Sequence, residues 1–534
     1  MQSVPFPTSD TPKNVVRPLS VACVIAGALA FLGNLWVNRY FYHDDALISL
    51  RYAINLAQIG DLSWNPGDRV EGYTNFLHIV LVSGLIELGI PPIPATRVVN
   101  AFGAALLVAS VVAGLRVAAP QPKGQVPRAV AVAAVAAAPP VAIWILGGLE
   151  AILAAGFTAA GIAALLPAVI GRRHGDWAPV LAASVAFALA YLTRPDAVVV
   201  TFAAGVGILA FGAAPLPRRV VQFVLTGALP VAVVAAHMAW RLHYYGDVAP
   251  NTFHAKVGIP LSDRIDGTFV YLAKAWVYLL PVVPLAGLAV LAAIATRSPV
   301  PWRAVAFLTL CILSHVLYVV WSGGDHMPGA RVLLTLLAPA AILFACAAAG
   351  LPGNMRNGVA LVALAACVLV AVEHRGHPMN PAAYVGTVVG QHIDAAWPDD
   401  ALVALSTAGS TPYHAPAKRY IDMLGLNDRE IGRRQDVPMR LPRQAMPGHA
   451  KGDGASILRR RPDYVILGPA NGVTIDDPWF LSDLELAEDP AFRSCYERRD
   501  VELPRRPDWP AGPSPFEGPL PFTFYERTCA ASDR

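Results

Sequence analysis

Two adjacent carboxylates, Asp44 and Asp45, open a stretch in which Ala46, Leu47, Leu50, Ala53, Ile54 and Ala57 recur at i, i+3, i+4 and i+7. That stripe predicts a helix lying on a membrane surface with both acids at its N-terminus. The helix dipole favours a carboxylate there, while mutual repulsion raises one of the two pKa values, so the pair could supply a poised base. The plainer reading makes Asp44 an N-cap. The same segment runs on from Ser63 to Asn75, dense in turn formers and hydrogen-bonding groups, with Glu71, Tyr73 and Asn75 as candidate shapers of an acceptor site. Four later clusters share this character: Gly147 to Glu150, Thr193-Arg194-Pro195-Asp196, Asp247 to Lys256 with Asn251 and His254, and Gly323 to Arg331 with Asp325 and His326.

The elements that position these clusters follow from composition. The chain has 534 residues, 55% hydrophobic and 15% charged, with a mean hydropathy of +0.48, whereas soluble domains carry roughly 25% charged residues. It reads as a polytopic α-helical membrane protein. Apolar runs lie near 15–37, 96–118, 129–147, 151–170, 177–193, 196–213, 220–242, 267–296, 303–321, 331–350 and 358–373. The first continues past Ala28-Leu29-Ala30, as an uncleaved anchor would. Basic loops (Lys123 and Arg128, Arg172 and Arg173, Arg218 and Arg219, Arg297 and Arg303, Arg356) alternate with the clusters above. The positive-inside bias puts the basic set in the cytoplasm, provided that Phe76 to Ile90 does not cross. At about 15 residues that run reaches roughly 22 Å, short of a core of about 30 Å, and it reads as a re-entrant or interfacial helix.

About eleven spans result, with every unusual cluster on the outer face. Residues 1–373 form the membrane domain, 38–95 being its first outer loop with juxtamembrane helices. Residues 374–534 form an exported, mixed α/β soluble domain, placing a multi-pass protein in the cytoplasmic (inner) membrane with an extracytoplasmic C-terminal part. A net charge of +4 spread over both parts shows no basic stripe for nucleic acid. Arg194, Lys256 and Arg331 beside carboxylates suit a departing phosphate and an activating base, the pairing needed for glycosyl transfer from a lipid phosphate. His254, His326, Asp325 and the aspartate pair could also take a divalent cation, but no tight ligand spacing shows it, and no residue is assigned to a metal.

Asp44 to Ala53, Asn65-Pro66-Gly67 and Val70-Glu71-Gly72-Tyr73-Thr74-Asn75 closely resemble the opening of the mycobacterial terminal arabinofuranosyltransferase family. Gly148-Leu149-Glu150, Arg194-Pro195-Asp196, Pro250 to Lys256, Gly323 to Gly329, Pro412-Tyr413 and Ile421 to Asp428 are similar to its later motifs. The likeness runs from about residue 40 to 430, with His254 and His326 standing where an aromatic residue is more usual. It implies a fold of the GT-C superfamily, a polyprenyl-phosphate sugar donor, Asp44 or Asp45 as the catalytic carboxylate, and a tail that binds carbohydrate or positions the acceptor. Arg194, His254, Lys256, Asp325, His326 and Arg331 are then expected around the donor, and Glu71, Tyr73, Asn75, Glu150, Asp196 and Asn251 around the acceptor.

The expected activity is transfer of arabinofuranose or a related pentose to a cell-envelope glycan, lipid or glycoprotein on the outer face of the membrane. The alternative is a polyprenyl-linked sugar transporter with an exported sugar-binding domain, which the scarcity of charge inside the runs disfavours. No nucleotide site is expected. Cys495 and Cys529 are the only cysteines of the tail, and an oxidising compartment would join them. The charge alternation predicts that a periplasmic reporter fused after residue 374 is active and one at residue 174 is not; a C-terminal fusion active only as a cytoplasmic reporter would mean that Phe76 to Ile90 crosses.

Overall fold

In a bilayer core no water meets backbone N–H and C=O groups, so apolar runs of this length close those groups into helices. The computed structural model describes residues 13–119, 124–172, 176–256, 261–279, 282–446, 448–504 and 518–529. Lys123, Arg173 and the side chains of Lys13 and Lys256 lie outside the described residues. Among those described, eight helices are long and apolar enough to cross a membrane: Arg17–Val37, Pro92–Ala118, Gln125–Leu146, Ala151–Ile170, Leu216–Tyr245, Trp302–Ser322, Arg331–Gly350 and Gly353–Glu373. Ala178–Thr193 and Ala197–Phe211 are shorter apolar helices over two further expected runs.

The run 267–296 is not one crossing helix. Its described residues form Leu261–Leu279 and Val283–Ala295, and Pro284, which lacks the N–H that would carry a helix through, sits in the first turn of the second helix. Phe76–Glu87 has 12 residues, about 18 Å of rise. It packs on the helix Asp44–Ile59 and on Pro92–Ala118, where His78 Nε2 lies 3.2 Å from Asn100 Oδ1. The central helices Pro92–Ala118 and Ala151–Ile170 approach so closely that a Cβ at Gly103 would come within 2.5 Å of the Leu153 Cα. Small residues permit the backbone contact that holds helices together in lipid.

The C-terminal part is a mixed five-stranded sheet of order β2-β1-β3-β5-β4, with strands β1 (Leu402–Leu405), β2 (Arg419–Asp422), β3 (Tyr464–Ile466), β4 (Tyr496–Leu503) and β5 (Leu520–Arg527). The first three pair in parallel and are apolar on both faces, with Val403, Ala404, Ile421, Val465 and Ile466 buried. β5 joins antiparallel to β3, and β4 pairs with it from Tyr496↔Arg527 to Leu503↔Leu520. A disulfide between Cys495 and Cys529, Cα atoms 4.9 Å apart, closes the open end of that hairpin.

The two parts meet through the segment between the first long apolar helix and Pro92. Asn65 exchanges hydrogen bonds with the Tyr420 backbone, donating at 2.8 Å and accepting at 3.2 Å. The Tyr52 hydroxyl lies 3.1 Å from Asn427 Oδ1 and accepts from the Gly72 amide at 2.9 Å. Gly72 is required there, since a Cβ would fall 2.0 Å from Asn427 Oδ1. For the disulfide, a separation of 34 residues corresponds to a stabilisation of about 3 to 4 kcal/mol on the chain-entropy account. Cys495→Ser should therefore lower the melting temperature of the C-terminal domain, and native membranes should yield neither thiol alkylated before reduction. Full alkylation of both would refute the bond.

Candidate active site

His43, not Asp44, caps the helix Asp44–Ile59: its backbone is extended (φ −98°, ψ 144°), and its Nδ1 accepts from the Asp45 amide at 3.3 Å. Burial holds the imidazole down to about 4, so it is neutral and its nitrogen can accept. Asp44, the first helical residue, is buried, and its Oδ1 accepts from the Ser410 amide at 2.8 Å and the Ser410 hydroxyl at 2.6 Å. Burial pushes its carboxyl up to about 6; the Ser410 hydroxyl opposes the rise and Asp45 adds to it. The repulsion expected from the pair is thus present, but desolvation is the larger cause. Asp45 keeps 41% of its side chain exposed, 3.8 Å from His43 Nδ1.

Three of the four later clusters, those of Glu150, Arg194 and Arg331, lie beside this helix start. Arg194 grips Asp196 with Nε at 3.0 Å and Nη2 at 3.2 Å, and reaches Glu150 with Nη1 at 2.9 Å. Burial raises the Asp196 carboxyl, but the charge and hydrogen bonds of Arg194 together with smaller contributions from His315 and the backbone outweigh it and hold the carboxyl below its usual range. Arg331 Nε donates to Asp325 Oδ2 at 2.8 Å, and His326 Nδ1 lies 3.9 Å from the same carboxylate. Asp325 is likewise held low: burial raises it, but Arg331, His326 and the Met327 amide together outweigh the burial. The guanidinium of Arg331 lies 5.7 Å from the Trp144 ring and within the field of Arg194 and Glu150, while Arg331, His326 and Asp325 all act on His43. Ala330, immediately before Arg331, has φ 49°, a left-handed conformation that a residue with a Cβ adopts at a cost. His326 also meets His449 of the C-terminal domain, ring centroids 6.0 Å apart.

Asp44, Asp45, Glu150, Arg194, Asp196, Asp325, His326 and Arg331 therefore form one seam, to which the structure adds His43, Trp144 and Ser410. Neither arginine is a bare cation, since each already holds carboxylates. The remaining expected residues sit elsewhere. Asn75 pairs with Ser49 at 3.1 Å. Asn251 Nδ2 donates to the carbonyls of Gly425, Leu426 and Asp428 at 2.8 to 3.1 Å, which docks the C-terminal domain. His254 bonds Asp247 at 3.1 Å, and Asp247 also pairs with Arg433.

Glu71 and Tyr73 belong to a second, adjoining cluster. Arg241 Nε donates to Glu71 Oε1 at 3.0 Å with both side chains buried, and Glu71 Oε2 has no hydrogen-bond partner among the described residues. Burial lifts the Glu71 carboxyl to about 7 against the pull of Arg241. The Tyr73 and Tyr245 hydroxyls are 3.0 Å apart. Tyr191, in the last turn of the helix Ala178–Thr193 that ends just before Arg194, lies in the field of Arg241 and Glu71 and links the two clusters. Arg241 was legible in the sequence as a charge inside the run 220–242, where an ionisable residue marks a functional or paired position. No group of three or more His, Cys, Asp or Glu side chains among the described residues could hold a metal ion.

A family model described as a domain of unknown function (DUF8728) matches residues 378–509. The chain is 28% identical over 372 residues to a terminal β-(1→2)-arabinofuranosyltransferase of Corynebacterium glutamicum, covering 62% of this chain and 51% of that protein. It thus spans about half the length of the curated relative it matches. The structure of ArnT from Cupriavidus metallidurans bound to undecaprenyl phosphate aligns with a TM-score of 0.50 at 14% identity, over 76% of this chain and 85% of that one. The oligosaccharyltransferase of Archaeoglobus fulgidus aligns with a TM-score of 0.49 at 14% identity, over 75% of this chain and 62% of that one. The likeness to ArnT is one of fold alone.

Removing one partner of a buried ion pair leaves an uncompensated charge, at a cost of about 3 to 5 kcal/mol. Glu71→Ala and Arg241→Ala should each lower the melting temperature of the purified protein, and the double variant Glu71→Leu/Arg241→Met should recover most of the loss. Wild-type melting in both single variants would show that the pair carries no such role.

Proposed function

We propose that this protein is a membrane glycosyltransferase that takes arabinofuranose or a related pentose from a polyprenyl phosphate and passes it to a hydroxyl of a cell-envelope glycan or glycoprotein, on the outer face of the cytoplasmic membrane. One observation carries the reading: the aspartate pair stands at the junction of the two domains, with Asp44 buried and held, Asp45 open, and the Arg331–Asp325–His326 group alongside. Similarity to an arabinofuranosyltransferase supports the sugar. The shared fold with ArnT, whose structure contains undecaprenyl phosphate, supports the lipid donor.

In this reading the acceptor oxygen bonds to the anomeric carbon while the bond from that carbon to the phosphate oxygen breaks. Asp45, the accessible carboxylate, takes the acceptor proton. The lipid phosphate leaves with the bonding electron pair, and Arg331 and Arg194 stabilise its charge; their carboxylate partners keep both guanidiniums oriented before the donor arrives. Because the phosphate stays on its lipid, no nucleotide has to be bound.

Membranes containing the protein, given labelled polyprenyl-phosphoryl pentose or hexose, should move the pentose to a non-lipid product. Asp45→Asn and Asp44→Asn should each reduce transfer by about 100-fold or more without loss of folded protein. Ionisation strengthens Asp44 as the acceptor of the Ser410 hydrogen bonds, and its carboxyl is raised to about 6, so activity should be full above that value and fall as pH drops through it. Wild-type transfer in both variants, or a hexose product alone, would overturn the assignment of catalyst or of sugar respectively.

A further inference from the structure

Asp44 takes its geometry from the far end of the chain. Both strong donors to its Oδ1 belong to Ser410, 366 positions away in the C-terminal domain, and Ser410 is fully buried. The Ser410 hydroxyl also lies 3.1 Å from the Ala382 carbonyl, at the head of the helix Pro381–Ala396. Two glycines make the approach possible. A Cβ at Gly386 would fall 2.0 Å from Ser410 Oγ, and one at Gly409 would fall 2.1 Å from the Asp44 carbonyl oxygen and 2.6 Å from its Oδ2. Gly386 thus leaves room for the Ser410 hydroxyl, and Gly409 lets the backbone just before Ser410 lie against Asp44. A hydrogen bond from a hydroxyl to a carboxylate is shorter and roughly twice as strong as a neutral one, and it fixes direction as well as distance.

We propose that Ser410 is a positioning residue for the transfer reaction: it sets the Asp44 carboxylate in one orientation, Asp44 in turn sets the helix start that presents Asp45, and the active site is complete only with the C-terminal domain docked. The inference rests on the glycosyltransferase reading for its catalytic half. The clamp itself is a property of the fold. Ser410 favours the charged form of Asp44, and the charged side chain with the largest effect on that carboxylate is Asp45, with the neutral His43 next to it and the Gly409 amide as a further donor. Loss of the hydroxyl therefore makes Asp44 easier to protonate.

The test uses the full chain in lipid nanodiscs, with two readouts. An infrared pH titration follows the protonated-carboxyl band that Asp44→Asn removes, and transfer from polyprenyl-phosphoryl-[14C]pentofuranose to a synthetic arabinofuranosyl oligosaccharide is measured over the same pH range. Ser410→Ala should move the Asp44 midpoint and the acid limb of kcat upward together, and should lower kcat by about 10- to 100-fold with the donor KM changed by less than about threefold. Ser410→Cys, which keeps a weak donor, should fall between the two. Gly386→Ala, which leaves the hydroxyl but displaces it, should act as Ser410→Ala does and stands in should that variant not fold. An unmoved midpoint and acid limb in folded variants would overturn the proposal, as would a loss of activity that merely follows the loss of folded protein. A midpoint that moves while the wild-type chain transfers neither pentose nor hexose would overturn the transferase reading and leave the clamp standing.

Discussion

A guanidinium taken out of water must find oxygen in several directions at once, and Arg51 does so by tying three segments together. It lies on the helix Asp44–Ile59, 4% exposed. Its Nε donates to the Trp64 carbonyl at 2.7 Å, Nη1 to the Pro412 carbonyl and Nη2 to the Pro416 carbonyl at 3.5 Å. Burial lowers its pKa to about 10, which leaves it charged at neutral pH. None of these acceptors can be withdrawn without stranding a buried charge. The loop Ala408 to Pro416 is thereby pinned to the helix, and Trp64 Nε1 adds a bond to the Ala408 carbonyl at 3.2 Å. That loop also carries Gly409 and Ser410 to Asp44, so the seam at the domain junction depends on this one cation.

Three other arginines near the junction are balanced by carboxylates. Arg194 faces Glu150 and Asp196, Arg331 faces Asp325, and Arg241 faces Glu71, all poorly exposed. In surroundings of low dielectric an unpaired cation would be expelled or reorganised, whereas a paired one is held in a defined direction. The carboxylates thus have two effects: they permit positive side chains to be buried, and they limit how strongly each can hold a further anion. Asp45 differs from all of them in keeping much of its side chain open to solvent.

The sequence motifs divide by what they do in the fold. Asn65, Asn251 and Asn427 stand in motifs that could be taken for sugar chemistry, yet their hydrogen bonds join the membrane part to the C-terminal domain, and Gly72 permits the close approach of Asn427. The helix Asp44–Ile59 was legible from its 3.6-residue stripe. The helix start within 267–296 was also written in Pro284, and average hydropathy concealed it because proline between apolar residues costs the average little. Arg241 was visible as a charge in an apolar run, but its partner was not.

What the sequence by itself determined is therefore local: which segments are apolar enough to be helices in lipid, where the polar tail begins, and which loops concentrate acids, cations and histidines. Each of these is a property of roughly 20 consecutive residues and needs no knowledge of neighbours in space. The tertiary structure alone decided which carboxylate is buried and which is open, and which cation each acid holds. Asp44 and Ser410 are 366 positions apart, and Glu71 and Arg241 are 170 apart. A hydrogen bond between residues so distant leaves no period or spacing in the chain; it exists only because packing brings its two ends within 3 Å or so of each other.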